Sequence, residues 1–336
     1  MAKMDIALDL GTSYTSIYVS GYGIVLHEPS VVAFYDKAPR RVRAVGDDAY
    51  QMIGKASDKI KIVRPITGGI IKDAEACTAM LSEFLKKILP QSYVFKPKIR
   101  AVVGVPTGIT VEERKMYEET LMGAGIDEIE MINSVMLAAV GTDNPVRSDY
   151  GGFIVSIGGG ATEIAVISLC GIVTGCSISI GGDMIDRALA DSIQGIHDIK
   201  VDSVTVRRIK ERIASLIRND CATMTVNGLN NLTNTITSVE VSGDRLYRSV
   251  ATYYESIIKS VYKVIKSCSP ALAAAIRENG ITVVGGAANI PGLDILMSER
   301  LGLRVTIPHD AQYAVIAGAG MLLTDPDYLY DVIRHS

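Results

Sequence analysis

The stretch that decides the fold reads FIVSIGGGATEI at residues 153–164, and it repeats an earlier stretch, IALDLGTSYTSI, at residues 6–17. Each stretch is an apolar run, then a turn with glycine, then a second run in which apolar residues return. That is the pattern of a strand, a tight turn and a strand. Gly11 falls on Gly158 when the two are aligned. A repeat this far apart predicts two lobes of like construction.

Outward from the first unit, the sequence alternates strand and helix patterns. Residues 23–26 and 30–34 have strand patterns, and apolar residues recur at helical spacing from Cys77 to Ile88. The apolar run at residues 99–105 is typical of a buried strand. Thr110-Val111-Glu112-Glu113 has the spacing of a capping box, which predicts the start of a helix.

The second half shows the same mixture of patterns. Gly171-Ile172-Val173 repeats Gly23-Ile24-Val25, and helical stripes follow at residues 206–217 and 246–265. A last strand and turn lie at residues 281–288. Strands in clusters with helices between them predict an α/β or α+β fold. The segment at residues 225–244, rich in Asn, Thr and Ser, is interpreted as a peripheral subdomain or a β insert.

The composition narrows the class of protein. The chain has 336 residues, 48% of them hydrophobic and 21% charged, which is the balance of a globular protein with room for two lobes. A net charge of -3 predicts no nucleic-acid partner. The five cysteines include no CxxC pair, so a reducing cytoplasm is expected. No signal-peptide core and no transmembrane run is found in the sequence.

Three glycine-rich turns suggest a phosphate site. They are Gly11-Thr12-Ser13, Gly158-Gly159-Gly160 and Gly285-Gly286. Backbone N–H groups in such turns can hold phosphate oxygens because no side chain stands in the way. A single turn of this kind is weak evidence, since tight turns need glycine for steric reasons too. Three turns, two of them in a duplicated unit, favour a nucleotide-binding protein.

At these turns the chain resembles the superfamily of actin, sugar kinases and heat-shock chaperone ATPases, and within it the bacterial actin family MreB/Mbl. The likeness runs from about residue 5 to about residue 323. The superfamily motifs are Asp9-Leu10-Gly11-Thr12, Gly158-Gly159-Gly160-Ala161-Thr162-Glu163, Gly181-Gly182-Asp183 and Gly285-Gly286. The family motifs lie at residues 23–33, 64–66, 104–108, 171–173 and 177–183.

The resemblance implies an actin-like ATPase fold, in which two duplicated ribonuclease-H-like lobes each carry a smaller subdomain. The first lobe is expected at residues 1–145 and 321–336, with its small subdomain at about 33–70. The second is expected at residues 146–320, with its small subdomain at about 184–243. The implied function is that of an MreB-like protein that binds nucleotide, polymerises into membrane-associated filaments and helps to determine cell shape.

The resemblance also implies a site for ATP and Mg²⁺. Asp9 is expected near the magnesium ion, through water, since hard cations prefer oxygen ligands. The phosphates are expected between the first two glycine turns, the ribose and adenine beside Lys210 and Glu211, and the adenosine beside the third turn. The expected nucleotide-binding residues are Asp9, Gly11, Thr12, Ser13, Tyr14, Gly158, Gly159, Gly160, Gly182, Asp183, Lys210, Glu211, Gly285, Gly286, Ala287 and Ala288.

Two alternatives stay open at the level of sequence. Asp9 can be read as an ordinary turn residue, and Lys210 and Glu211 as solvated charges on a helix. Ala287 stands where a third glycine is expected after Gly286.

The departures from the family bear on hydrolysis. The repeat places Ser156 where the second hairpin is expected to carry the twin of Asp9, and Asn133 and Ser134 match the place of the carboxylate that orients the attacking water. Loss of a positioned base lowers a rate by about two to four orders of magnitude. The sequence therefore predicts nucleotide binding with weak or no hydrolysis. Two further departures are Tyr14, where asparagine is usual, and Arg207, where glutamate is usual near the nucleotide.

A possible membrane contact follows the first long helix pattern. Lys86 and Lys87 precede an apolar stretch that includes Tyr93-Val94-Phe95, and Lys96, Lys98 and Arg100 come after it. An apolar loop with basic flanks can enter an anionic membrane face, and the resemblance implies the same use. The alternative is that this loop packs under the lobe.

The partners implied by the resemblance are further copies of the chain, other MreB-like proteins and the inner face of the cell membrane. A degenerate paralogue that co-polymerises with an active MreB is the main alternative, because of the missing carboxylates. A small-molecule kinase of the same superfold is less favoured, since it should keep the aspartate that Ser156 replaces. A chaperone-like nucleotide switch would need a substrate-binding domain after the ATPase.

Overall fold

The computed structural model describes residues 3–89 and 97–335. In the first half, the elements are β1 (Lys3–Leu10), β2 (Tyr14–Val19), β3 (Gly23–Pro29), β4 (Val32–Tyr35), β5 (Arg41–Val45), α1 (Gly46–Tyr50), β6 (Ile60–Val63), β7 (Ile66–Thr67), β8 (Ile70–Ile71), α2 (Ala74–Ile88), β9 (Lys98–Val105), α3 (Val111–Ala124), β10 (Glu128–Asn133) and α4 (Ser134–Val140).

In the second half, the elements are β11 (Gly152–Ile157), β12 (Thr162–Ser168), β13 (Gly171–Ile178), α5 (Gly182–His197), β14 (Ile199–Lys200), α6 (Ser203–Ile213), β15 (Thr223–Asn230), β16 (Ile236–Ser242), α7 (Gly243–Ser267), α8 (Pro270–Asn279), β17 (Ile281–Val284), α9 (Leu293–Leu301), β18 (Val305–Thr306), α10 (Ala314–Thr324) and α11 (Pro326–His335). Short 3₁₀ turns lie at Gly286–Asn289 and Ala311–Tyr313.

The duplication predicted from sequence is confirmed by two five-stranded sheets with the same strand order. One sheet runs β10-β9-β1-β2-β3, and the other runs β18-β17-β11-β12-β13. In the first sheet, β1 and β2 are antiparallel and β9 is parallel to β1. In the second sheet, β11 and β12 are antiparallel and β17 is parallel to β11. The two sheets therefore have equivalent topologies, each built around one glycine hairpin.

The two hairpin turns are closed by the same hydrogen bond. The Gly11 N–H donates to the Tyr14 carbonyl at 3.0 Å, and the Gly158 N–H donates to the Ala161 carbonyl at 2.9 Å. This shared turn is why Gly11 and Gly158 align in the sequence, and it turns the backbone of both loops toward the space between the lobes.

Each lobe also carries a small sheet. The first has the order β5-β4-β6, and the second has the order β14-β15-β16. The β15–β16 hairpin accounts for most of the polar segment at residues 225–244, which confirms that this segment is a β insert. The residue boundaries given above for the lobes and subdomains stay proposals.

The core between the two large sheets is formed by α4 and α10. This cluster joins Ala7 and Val102 of the first sheet to Ile154 and Val284 of the second. The two helices approach closely: a Cβ at Gly318 would overlap the Leu137 carbonyl oxygen. Because α4 packs against both sheets and α10 packs against α4 and the first sheet, the two helices hold the two glycine hairpins opposite each other.

Two local predictions on the first lobe are confirmed. Met80, Leu81 and Phe84 of α2 are buried in the core of the first lobe. The capping box is present, since the Thr110 hydroxyl accepts from the Glu113 N–H and the Glu113 carboxylate accepts from the Thr110 N–H. The predicted membrane loop with Tyr93, Val94 and Phe95 lies outside the described residues.

Candidate functional site

A cavity of about 550 Å³ lies between the two glycine hairpins. It brings together most of the residues that the sequence nominates for a nucleotide. Those that line it are Asp9, Gly11, Thr12, Ser13, Tyr14, Gly158, Gly159, Gly160, Gly182, Lys210, Glu211, Gly285, Gly286 and Ala287. Asp183 and Ala288 do not line it: Asp183 forms ion pairs beside the cavity, and Ala288 is buried in the core of the second lobe.

The two hairpin loops approach each other so closely that side chains on the second are excluded. A Cβ at Gly159 would clash with the Ser13 hydroxyl, and one at Gly160 would lie 2.5 Å from the Thr12 hydroxyl oxygen. The Thr12 hydroxyl also accepts a hydrogen bond from the Gly69 N–H at 2.8 Å. Backbone of both lobes therefore faces the cavity at this point, as a phosphate cradle requires.

Two carboxylates, Asp9 and Glu163, face the cavity near these loops. Burial raises the pKa of Asp9 to about 7, and repulsion by Glu163 adds to the increase. Burial also raises the pKa of Glu163, against the lowering effect of a hydrogen bond from the Thr107 N–H. Within the described part of the chain, no hydrogen bond reaches the Asp9 side chain. A cation beside this pair would relieve the cost of its ionisation.

The pairing of strands explains where these carboxylates lie. In the first hairpin Asp9 of β1 pairs with Ser16 of β2, and in the second Ser156 of β11 pairs with Glu163 of β12. Each hairpin thus carries one carboxylate and one serine at the matched pair, on opposite strands. The second hairpin has Ser156 at the position that corresponds to Asp9, but it carries an acidic residue, Glu163, on the neighbouring strand.

The structure locates the residues that stand where the family resemblance implies carboxylates. Ser156 and Ser134 both line the cavity, and Asn133 directly precedes α4 without capping it by its side chain. A Cβ at Gly104 would lie 3.1 Å from the Ser134 hydroxyl oxygen, so β9 and the start of α4 are in contact there. Hydroxyl groups therefore face the cavity at both places, and neither can act as a carboxylate base.

The third glycine turn forms another wall of the cavity. Gly285 has a φ of 91°, and its N–H donates to the Ala311 carbonyl at 2.8 Å. A Cβ there would overlap the Ile157 carbonyl oxygen, which ties this turn to the end of β11. The Tyr254 hydroxyl donates to the Ala287 carbonyl at 2.6 Å and fixes the turn from below.

A cluster of charged side chains, which we call the Arg207 cluster, borders the cavity on the side of the second lobe's small subdomain. Arg207 contacts Asp183 at 3.2 Å and Asp186 at 3.5 Å. Lys210 contacts Asp186 at 2.7 Å and donates to the Gly182 carbonyl at 3.2 Å. Arg64 of the first lobe reaches Asp183 at 3.7 Å. Lys210 is therefore a partly buried structural cation rather than a freely solvated charge.

An aromatic group lines the cavity near the first hairpin. The ring of Tyr14 stacks on His27 with centroids 4.6 Å apart, and Tyr313 meets His27 edge-on at 5.0 Å. His27 shares a 2.9 Å hydrogen bond with the Ser16 hydroxyl, and burial lowers its pKa. Tyr14 is thus held in place by stacking at the position where the family resemblance leads one to expect asparagine.

Sequence reasoning did not nominate several residues of the cavity. Glu163 belongs to a superfamily motif, and its position opposite Ser156 in a hairpin is the signal that can assign it to the cavity. For Arg207 the sequence indicates only a departure from the family, without a role. Ser16 has a weaker signal, which is the alternation of inward and outward side chains along its strand. Further residues line the cavity without having been predicted from the sequence, and they include His27, Gly69, Gly104, Pro106, Tyr254, Asn289, Ile290, Pro291, Gln312 and Val315.

These residues fit a nucleotide with a divalent cation. The glycine loops offer backbone where a Cβ would fill the space, and a buried carboxylate pair with raised pKa values lies beside them. Two duplicated lobes that enclose such a cavity define the chain as an actin-like protein.

Comparison with known proteins agrees with this class. The family model described as "MreB/Mbl protein" matches residues 3–330, and the chain belongs to the MreB/Mbl family. It is 37% identical to the cell shape-determining protein MreB of Escherichia coli strain K12 over 327 residues, which cover 96% of this chain and 94% of the relative.

Solved structures support the fold. MreB 5 of Spiroplasma citri bound to AMPPNP matches with a TM-score of 0.90 and 28% identity, over 98% of this chain and 99% of the other. The MamK double helical filament matches in fold alone, with a TM-score of 0.78 and 20% identity over 96% of this chain and 99% of the other.

Proposed function

We propose that this chain is an MreB-like cytoskeletal protein that binds ATP with Mg²⁺ in the cavity between its hairpins and hydrolyses it slowly or not at all. The observation that carries the proposal is the pairing of an intact glycine cradle with serines at the two cavity positions where carboxylates are expected. The Spiroplasma relative bound to AMPPNP supports nucleotide binding by a chain of this fold.

In the proposed complex, the backbone N–H groups of the loops at Gly11 and Gly158 hold the phosphates. Asp9, with Glu163 behind it, would hold the magnesium ion through water; when bound, the ion neutralises phosphate charge. The turn at Gly285 would border the adenosine. Lys210 of α6 would help to hold the Arg207 cluster in place through its contact with Asp186 of α5.

Slow hydrolysis follows from what the cavity lacks near the phosphates. A general base must lie within hydrogen-bond reach of the water that it activates. Ser156 and Ser134 offer only hydroxyl groups there. Glu163 already accepts a hydrogen bond from the Thr107 N–H, and burial raises its pKa, which favours the protonated form that cannot accept a proton from water. The cradle itself does not depend on those side chains, so binding is retained.

Phosphate release in the presence of Mg²⁺ tests this part of the proposal. We expect ATP to bind with a stoichiometry near one and turnover to be far below that of an active MreB measured in parallel. Turnover equal to the active protein, and abolished by Asp9→Ala, would overturn slow hydrolysis. Failure to bind ATP at all would overturn the proposed site.

We also propose that the chain polymerises and acts at the inner face of the cell membrane in the cytoplasm, in line with the cell shape-determining name of its relative in Escherichia coli. No helix within residues 3–89 and 97–335 is long and apolar enough to cross a membrane. The contact that we propose is the loop with Tyr93, Val94 and Phe95, which lies outside the described residues.

Two experiments test assembly and membrane contact. Negative-stain microscopy with and without ATP and Mg²⁺ should show filaments, and their absence under all conditions would contradict polymerisation by the chain alone. Co-sedimentation with anionic liposomes should be lost in a Val94→Glu, Phe95→Glu double variant. Unchanged sedimentation would count against this loop.

The serines at Ser156 and Ser134 favour one second candidate, a paralogue that co-polymerises with an active MreB. Such a chain would enter filaments of the active protein without adding to their turnover. Mixed polymerisation with a labelled copy of this chain distinguishes the two, because a protein that acts alone should form filaments without the active partner.

A further inference from the structure

One buried cation, Arg207, lies near the phosphate cradle. Arg207 lies on α6, and its side chain is only 6% exposed. It also lines the cavity. A buried guanidinium is costly unless its charge is compensated, and Asp183 and Asp186, which compensate it, are shared with two further cations.

The guanidinium reaches the first hairpin loop from the opposite lobe. Its Nη2 lies 3.3 Å from the Ser13 hydroxyl, and Ser13 in turn packs against Gly159 of the second loop. The ring of Tyr50 lies 5.9 Å below the guanidinium carbon and orients it. Arg207 therefore reaches the point where the two glycine loops meet.

The Arg207 cluster carries a surplus of positive charge. Arg64, Arg207 and Lys210 share the two carboxylates of Asp183 and Asp186. Burial acts to lower the pKa of Arg207, but Asp186 and its other neighbours raise it overall, so the side chain stays charged. Glu211 also lines the cavity, but it is exposed and lies one residue beyond Lys210.

We propose that Arg207 is a fixed cationic contact for the phosphates of the nucleotide, and that it makes nucleotide binding weakly dependent on magnesium. The inference rests on the proposed function, since it concerns the same cavity. Arginine is suited to this role because its planar donors match phosphate oxygens and its charge is permanent. Arg207 occupies the position at which the family resemblance implies a glutamate.

Charge balance gives the reason for the reduced dependence on the ion. A magnesium ion offsets part of the triphosphate charge in nucleotide sites. The cavity has Ser156 in place of an expected carboxylate and Arg207 in place of another, so it repels a metal-free triphosphate less than a site with those carboxylates would. Arg207 compensates phosphate charge whether or not the ion is present.

The experiment measures the dissociation constant of ATP by isothermal titration, once with Mg²⁺ and once with EDTA, for the full chain and for Arg207→Gln. For the native chain we expect the two constants to lie within about tenfold of each other. For Arg207→Gln we expect the metal-free affinity to fall by about tenfold or more, and the affinity with Mg²⁺ to fall by less, since a charge-assisted contact has been lost.

Three comparisons keep the outcome interpretable. Arg208→Gln removes an exposed arginine from the same helix and should leave both constants unchanged. Arg207→Lys keeps the charge and should retain most of the metal-free affinity. Arg207→Glu should weaken metal-free binding further than Arg207→Gln does.

Equal losses with and without Mg²⁺ would show that Arg207 only holds the lobes together, and would overturn the inference. So would a native chain that binds ATP with Mg²⁺ and not at all with EDTA, although the proposed function would survive that result. A native chain that binds ATP under neither condition would overturn the proposed function as well.

Discussion

Substitution of Gly160 by alanine tests the close approach of the two hairpin loops. The added Cβ would lie 2.5 Å from the Thr12 hydroxyl oxygen, 2.7 Å from the Gly68 nitrogen and 2.8 Å from the Gly68 Cα. Two of these three atoms belong to the backbone, so no side-chain rotation can relieve the overlap. The second loop must move away from the first lobe.

Overpacking of this kind costs about 1–3 kcal/mol. We therefore expect Gly160→Ala to lower the free energy of unfolding by that amount. We also expect ATP affinity to fall by about tenfold or more, because a shift of the loop separates the donors on which the phosphates depend. Thermal unfolding and titration of a fluorescent ATP analogue measure the two effects.

Gly195→Ala is the matched control. Gly195 lies in α5, is exposed, and has no atom within 4 Å of the position of an added Cβ. Alanine in a helix is favoured over glycine by about 0.5–1 kcal/mol, so this variant should be slightly more stable and bind ATP normally. Native stability and native ATP affinity in Gly160→Ala would refute the closed arrangement of the loops.

Three further predictions follow from the cavity. Burial raises the folded-state pKa of Asp9 to about 7 from its ordinary value of 3.8, so the nucleotide-free protein should lose stability as the pH rises from about 4 to about 7, with the loss complete above that range. Asp9→Asn should remove this loss, and its melting temperature in EDTA should exceed that of the native chain more at about pH 8.5 than at about pH 5.5; an equal difference at both values would argue against a buried, ionising Asp9. A Ser156→Asp, Ser134→Glu double variant should raise phosphate release by about tenfold or more if these positions limit hydrolysis, and an unchanged rate would place the limitation elsewhere. Tyr254→Phe removes the hydroxyl that donates to Ala287 at 2.6 Å, and should cost about 1 kcal/mol in a denaturant titration; no loss would mean that water replaces this bond.

The fold and much of the candidate site could be predicted because they depend on local backbone requirements. The turn bonds at Gly11 and Gly158 impose the same residue pattern twice, and that pattern is visible without any structure. The helical stripe of α2 and the capping box at Thr110 are also local, and both are confirmed.

The rest of the site depends on contacts between distant segments, which a local pattern does not record. Arg207 reaches Ser13 across the gap between the lobes. Glu163 differs, because it lies in the local β11–β12 hairpin, where its pairing with Ser156 could have assigned it. Ala288 is expected at the site because it follows the third turn in sequence, but the 3₁₀ turn directs it into the core.

A single-turnover experiment tests the central claim, which is that the cavity binds ATP but does not hydrolyse it readily. Labelled ATP is mixed with an excess of the chain and Mg²⁺, and samples are quenched over time to measure retained nucleotide and the fraction converted to ADP. The account predicts that ATP is retained and stays intact long after an active MreB has converted its own. Rapid conversion to ADP, or no retention of ATP, would contradict it.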